Sequence, residues 1–101
     1  MSENYFTKGS KVRISVDPTK PFKVGSTVTD PTGIVVKYRD PAGVITIKTY
    51  GVDSEVNRQA LGIYYMDVVV NVAGEWTFRF EGSGACVAVM EDSFYVEPSR
   101  F

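Results

Sequence analysis

Histidine is absent from the 101 residues, and cysteine occurs once, at Cys86. The first absence removes Ser-His-Asp and Cys-His catalysis and any imidazole metal ligand. The second excludes an intramolecular disulfide and a cage of several thiolates. Charge of one sign is also missing. Eleven Lys and Arg stand against twelve Asp and Glu, a formal net charge of -1, and no basic cluster of the kind that neutralises phosphates appears. Lys8, Lys11, Arg13, Lys20 and Lys23 make the N-terminal quarter mildly basic, which reads as strand and turn solvation. Nucleic acid is therefore not an expected partner. No apolar run is long enough to span a bilayer. The start Met1-Ser2-Glu3-Asn4-Tyr5-Phe6 has no positive charge followed by an apolar stretch, so no signal peptide and folding in a cytoplasm are expected.

A helical apolar period is lacking too. What is present is period two. Lys11-Val12-Arg13-Ile14-Ser15-Val16 alternates cleanly, as a half-buried strand does. Residues 34–39 and 44–50 flank Asp40-Pro41-Ala42-Gly43, where Pro pre-sets a turn, Asp caps it and Gly accepts positive φ. That is a β-hairpin. The polar stretch 51–61 holds either a loop or a short edge strand near residues 55–58. Further strands are expected over 63–70, over Glu75-Trp76-Thr77-Phe78-Arg79-Phe80-Glu81, and over 86–90 and 93–97 after the turn Gly82-Ser83-Gly84. Strands every 10 to 12 residues or so predict a β-sandwich or small barrel in one domain spanning 1–101, with an arm at 1–9 and a tail at 98–101. Asp-Pro recurs at Asp17, Asp30 and Asp40 in unmatched surroundings, which reads as turn chemistry used three times.

The alternation assigns a core: Val12, Ile14, Val16, Val36, Tyr38, Ile45, Ile47, Tyr64, Met66, Val68, Trp76, Phe78, Phe80, Ala88, Phe94 and Val96. Trp76 is placed at its centre, with an indole N–H that needs an acceptor. The opposite faces then carry Val35, Val44, Tyr50, Tyr65, Val69, Val87, Val89 and Tyr95. Tyr65, Val69, Val87, Val89 and Tyr95 belong to the last strands, and together with the terminal Phe101 they are the candidate interface.

Candidate chemistry is thin. Cys86 lies in an apolar run without a basic neighbour to lower its pKa, so a buried, inert thiol is expected. Glu91-Asp92 and Asp53-Ser54-Glu55 are fragments of a calcium pattern, short of the converging oxygens such a site needs. Gly82-Ser83-Gly84 has no helix behind it to cradle a phosphate. No catalytic residue, cofactor or metal is expected.

Several segments carry a family resemblance: Asp30-Pro31, Arg39-Asp40-Pro41-Ala42-Gly43, Gly62-Ile63-Tyr64, Ala73-Gly74-Glu75-Trp76 through Gly84, and Ser93-Phe94-Tyr95-Val96. In order and spacing, residues 10–101 resemble the small immunoglobulin-like proteins encoded among the head and head–tail genes of tailed bacteriophages. The resemblance implies an immunoglobulin-like antiparallel β-sandwich of about seven strands. It also implies a non-enzymatic virion role, such as a capsid decoration or minor head protein. The implied partner is the major capsid or connector protein, with self-association as a second partner class. A different reading is an adhesion module whose loops, at 17–33, 51–61 and 82–85, bind a carbohydrate or host surface protein, with Phe22 and Tyr50 as the candidate aromatics.

Overall fold

A computed structural model describes residues 5–99. In chain order the strands are β1 (Tyr5–Thr7), β2 (Lys11–Ser15), β3 (Lys23–Val24), β4 (Thr27–Val28), β5 (Gly33–Arg39), β6 (Ile45–Thr49), β7 (Asn57–Ala60), β8 (Ile63–Val69), β9 (Gly74–Ser83) and β10 (Ala88–Glu97). No helix occurs among the described residues. β1, β3 and β4 exceed the expected count; strands of three residues or fewer leave no alternation to read.

A five-stranded sheet runs β1-β10-β9-β5-β6, and a three-stranded sheet runs β2-β8-β7. β3 and β4 form a small separate hairpin. All neighbours are antiparallel except β1, which pairs parallel to β10. Between β1 and β2 the chain changes sheets. Lys8 N–H donates to the Glu97 carbonyl of one sheet, and Gly9 N–H donates to the Val70 carbonyl just beyond the other.

Even-numbered residues of both sheets meet in one buried cluster. Val12, Ile14, Tyr64, Met66 and Val68 come from the smaller sheet; Ile34, Val36, Trp76, Phe80, Phe94 and Val96 come from the larger. The protein is thus all-β, in a layered arrangement compatible with a β-sandwich. Trp76 is 4% exposed, and its indole N–H donates to the Val72 carbonyl at 2.9 Å. Its ring stacks on Tyr38 at 6.2 Å and on Phe94 at 6.1 Å. Phe78, partly buried, meets Phe80 edge-on at 6.0 Å. Phe22, Val56, Val70 and Cys86 join the cluster from outside the strands.

Two core assignments are overturned. Ile45 and Ile47 are 53% and 57% exposed, on the side away from the cluster. The hairpin explains why. Its register pairs Tyr38 with Thr46 and Val36 with Lys48, so on β6 it is the even residues that share the inward face. Tyr50 follows the same parity: it packs edge-on against buried Tyr64 at 5.2 Å instead of lying on the outer face. Thr46 and Lys48 stay partly exposed on that side, so polar side chains are tolerated there. The turn itself is as expected. Asp40 Oδ1 accepts from Ala42 and Val44 N–H at 3.0 and 2.9 Å, and Gly43 takes φ 90°.

Candidate interaction surface

The outer face of the five-stranded sheet is built from the odd residues of β5, β6, β9 and β10. Register aligns Ile47, Lys37, Arg79 and Glu91 in one row across the strands, and Thr49, Val35, Glu81 and Val89 in the next. Arg79 thus sits directly opposite Glu91, an attractive cross-strand pair, but also directly opposite Lys37, a like charge, and Glu81 in the next row lies diagonal to Lys37. Lys37 Nζ lies 3.1 Å from Glu81. Arg79 reaches Glu81 at 2.7 Å and Glu91 at 2.6 Å, so one guanidinium bridges two carboxylates. The Glu81 carboxyl is held below its usual range by Lys37 first and Arg79 second, against the opposing effect of burial. Exposed pairs of this kind add little stability, about 0–1 kcal/mol each. Their effect here is to fix the positions of two basic and two acidic groups on the face.

Apolar side chains flank this ladder on both margins. Ile45 and Ile47 stand on β6; Val89 and Tyr95, 50% and 43% exposed, stand on β10. A shallow depression of about 460 Å³ lies between, bordered by Lys37, Arg39, Ile45, Thr77, Arg79 and Glu91.

The candidate interface residues do not form one patch. Val89 and Tyr95 lie on this face. Tyr65 and Val69 belong to β8, on the outer face of the other sheet. Tyr65 is covered there by Arg13, whose guanidinium carbon is 3.9 Å from the ring centroid. The same Arg13 bonds Asp67 at 2.9 and 3.3 Å, which holds the Asp67 carboxyl below its ordinary range. Val87, 84% exposed, sits in the connection between β9 and β10. Phe101 lies outside the described residues. Ile45 and Ile47 read as core because they are the apolar residues of an alternating segment; the Asp40–Val44 pair that closes the hairpin instead turns the even residues Thr46 and Lys48 inward.

Elsewhere the polar groups are engaged in structure. Asp17 and Asp40 do make local turns, but Asp30 is a long-range tie. Its Oδ1 accepts from Gly62 N–H at 2.8 Å and Tyr64 O–H at 3.1 Å, and its Oδ2 meets Arg58 at 2.9 Å. Burial works against the Asp30 charge, but the bonds from Gly62, Arg58 and Tyr64 outweigh it and its pKa is lowered. Burial, then the bond to Asp30, pushes the Tyr64 hydroxyl up to about 12. The Cys86 thiol is buried and donates to the Lys23 carbonyl at 3.2 Å. Phe22, 0% exposed, is a core residue and offers no ring to a ligand. Among the described residues no group of three or more Cys, Asp or Glu converges as a metal site would require.

Comparison with protein-family models, with curated proteins and with solved structures finds no match to this chain.

Proposed function

We propose that the chain is an immunoglobulin-like, non-enzymatic accessory module that docks on a protein partner through the outer face of its five-stranded sheet. The observation that carries this reading is the composition of that face: a fixed cluster of two basic and two acidic side chains between two apolar margins. Charges held in fixed positions beside exposed apolar area can set the register of a partner. Here the charges are central and the apolar side chains marginal, the inverse of the usual apolar centre and polar rim. The immunoglobulin-like assignment is supported by strand order. β10-β9-β5 facing β2-β8-β7 matches strands G, F and C opposing B, E and D; no strand takes the place of A in the smaller sheet, and β1 pairs parallel to β10 instead. β6 extends the first of these sheets as an additional edge strand.

The partner we propose is the assembled surface of a tailed-phage particle, either its major capsid or its connector protein. This part rests on the sequence resemblance of residues 10–101. On a symmetric lattice, many weak copies suffice for occupancy. Co-sedimentation of the purified protein with phage heads that lack it tests the proposal. Saturable binding at a fixed ratio to the capsid protein is the expected result; no sedimentation with heads or tails at any concentration overturns the virion assignment.

A further inference from the structure

The four edges of the two larger sheets are not equally protected. β7 is polar and carries a register shift between Arg58 and Ala60. β2 presents Lys11 and Arg13. β1 is only three residues long. Charge, irregularity and brevity are the usual defences of an exposed strand. β6, with the sequence Ile-Thr-Ile-Lys-Thr, has none of them at Ile45 and Ile47.

The hydrogen bonding of β6 can be worked out residue by residue. Asp40 N–H donates to the Val44 carbonyl, and Tyr50 N–H donates to the Ile34 carbonyl. With the antiparallel register between them, 38 with 46 and 36 with 48, the residues of β6 bonded to β5 are the even ones. Ile45, Ile47 and Thr49 therefore point their N–H and C=O groups away from the sheet. Thr49 is satisfied locally: its N–H donates to Asp53 Oδ2 at 2.8 Å, and its carbonyl accepts from Val52 and Asp53 N–H. The two donors and two acceptors of Ile45 and Ile47 have no partner among the described residues.

We propose that β6 is the seam of a homodimer, pairing antiparallel with β6 of a second copy across a two-fold axis at Thr46. This register is self-complementary. Ile45 lies opposite Ile47 of the second copy and exchanges two hydrogen bonds with it; the symmetric pair exchanges two more, so every open group of both residues is used. Side chains agree with the backbone. The four isoleucines, each more than half exposed in one copy, cover one another on the outer face. Thr46 meets Thr46, and Lys48 falls opposite Val44, so no like charges oppose. Lys48 is in any case paired with Glu55 at 3.3 Å. An unrelated extended peptide would meet the same donors and acceptors, but only a second copy brings matching isoleucines to both sides of the seam.

The dimer joins the two larger sheets into one and turns their outer faces to the same side. It goes beyond the docking proposal by making the docking platform bivalent, and its test needs no virion. A seam of one short strand per copy is at the small end of interface sizes, so sedimentation equilibrium should cover about 10 µM to about 1 mM. The expected mass rises from 11.2 kDa towards twice that value. Ile47→Pro removes an outward donor while sparing the bonds to β5, and is expected to weaken association at least about tenfold. A second readout does not depend on that variant folding. In the proposed register the Thr46 Cα atoms form a non-hydrogen-bonded pair about 4.5 Å apart, within disulfide range. Thr46→Cys in a Cys86→Ala background should oxidise to a covalent dimer, whereas Lys48→Cys alone should not. A monomer throughout the concentration range, association unchanged by Ile47→Pro in a folded variant, or equal cross-linking at 46 and 48 overturns the proposal.

Discussion

Asp30 shows how much one side chain can hold. It closes a triangle between the connection that follows β4, the turn at Gly62 and the buried hydroxyl of Tyr64. Asp30→Ala leaves the Tyr64 hydroxyl and Gly62 N–H without their acceptor, so a loss of about 1–3 kcal/mol is expected in urea unfolding. Asp30 and Tyr64 also set the pH dependence. The Asp30, Asp67 and Glu81 pKa values are lowered in the folded protein; their contribution is present above the ordinary carboxylate range and is lost as pH falls through the depressed values. Tyr64 acts at the other end. Its folded pKa is raised from 10.0 to about 12, so its contribution is full below pH 10 and declines as pH rises towards 12. Urea midpoints measured across both ranges should fall on each side, and Tyr64→Phe should flatten the alkaline fall. Trp76→Ala, which removes the ring stacked between Tyr38 and Phe94, is expected to cost about 3–5 kcal/mol.

At the scale of elements, the turns decide what the strands present. Gly62 takes φ +71°, and a Cβ there would meet the Phe22 carbonyl at 3.0 Å and Val28 at 2.9 Å. Gly62→Ala should therefore lower stability by about 1–3 kcal/mol, a loss measurable by thermal unfolding. The same dependence on turns separates what could be read in the sequence from what could not. The strands containing Val12 and Ile14, Tyr64 to Val68, and Trp76 to Phe80 were legible because each alternates against a single covered face. β6 was not, because it wears its isoleucines outward and turns polar Thr46 and Lys48 inward. Phe22 and Val56 were not, because a buried side chain on an irregular segment has no period. Asp30 looked like Asp17 and Asp40 because an Asp-Pro step has the same sequence whether its carboxylate bonds two residues or thirty-two residues away. The candidate interface suffered most: sequence order placed Tyr65 and Tyr95 together, but they belong to the outer faces of different sheets.

For the molecule as a whole, two outer faces compete to be the docking surface, and their chemistry differs. On the smaller sheet, Arg13 spends its guanidinium on Tyr65 and Asp67 of its own chain. On the larger, Lys37, Arg79, Glu81 and Glu91 are likewise paired within the chain, but exposed Ile45, Ile47, Val89 and Tyr95 flank them. The two faces can be separated by the same substitution at sites of similar exposure, since Val89 and Val69 are 50% and 58% exposed and lie on β10 and β8 respectively. Neither change to Asp touches the core, but Val89 lies opposite Glu81 and Val69 opposite Lys11. Val89→Asp should therefore lose about 1 kcal/mol in urea unfolding and Val69→Asp less, both remaining folded.

Binding of these two variants to phage heads, measured side by side by co-sedimentation, tests the docking face most directly. Val89→Asp is expected to weaken binding by about tenfold or more while Val69→Asp binds as the parent does, a difference of roughly 1.4 kcal/mol. Loss of binding in Val69→Asp with Val89→Asp unaffected would contradict the assignment and move the docking surface to the three-stranded sheet.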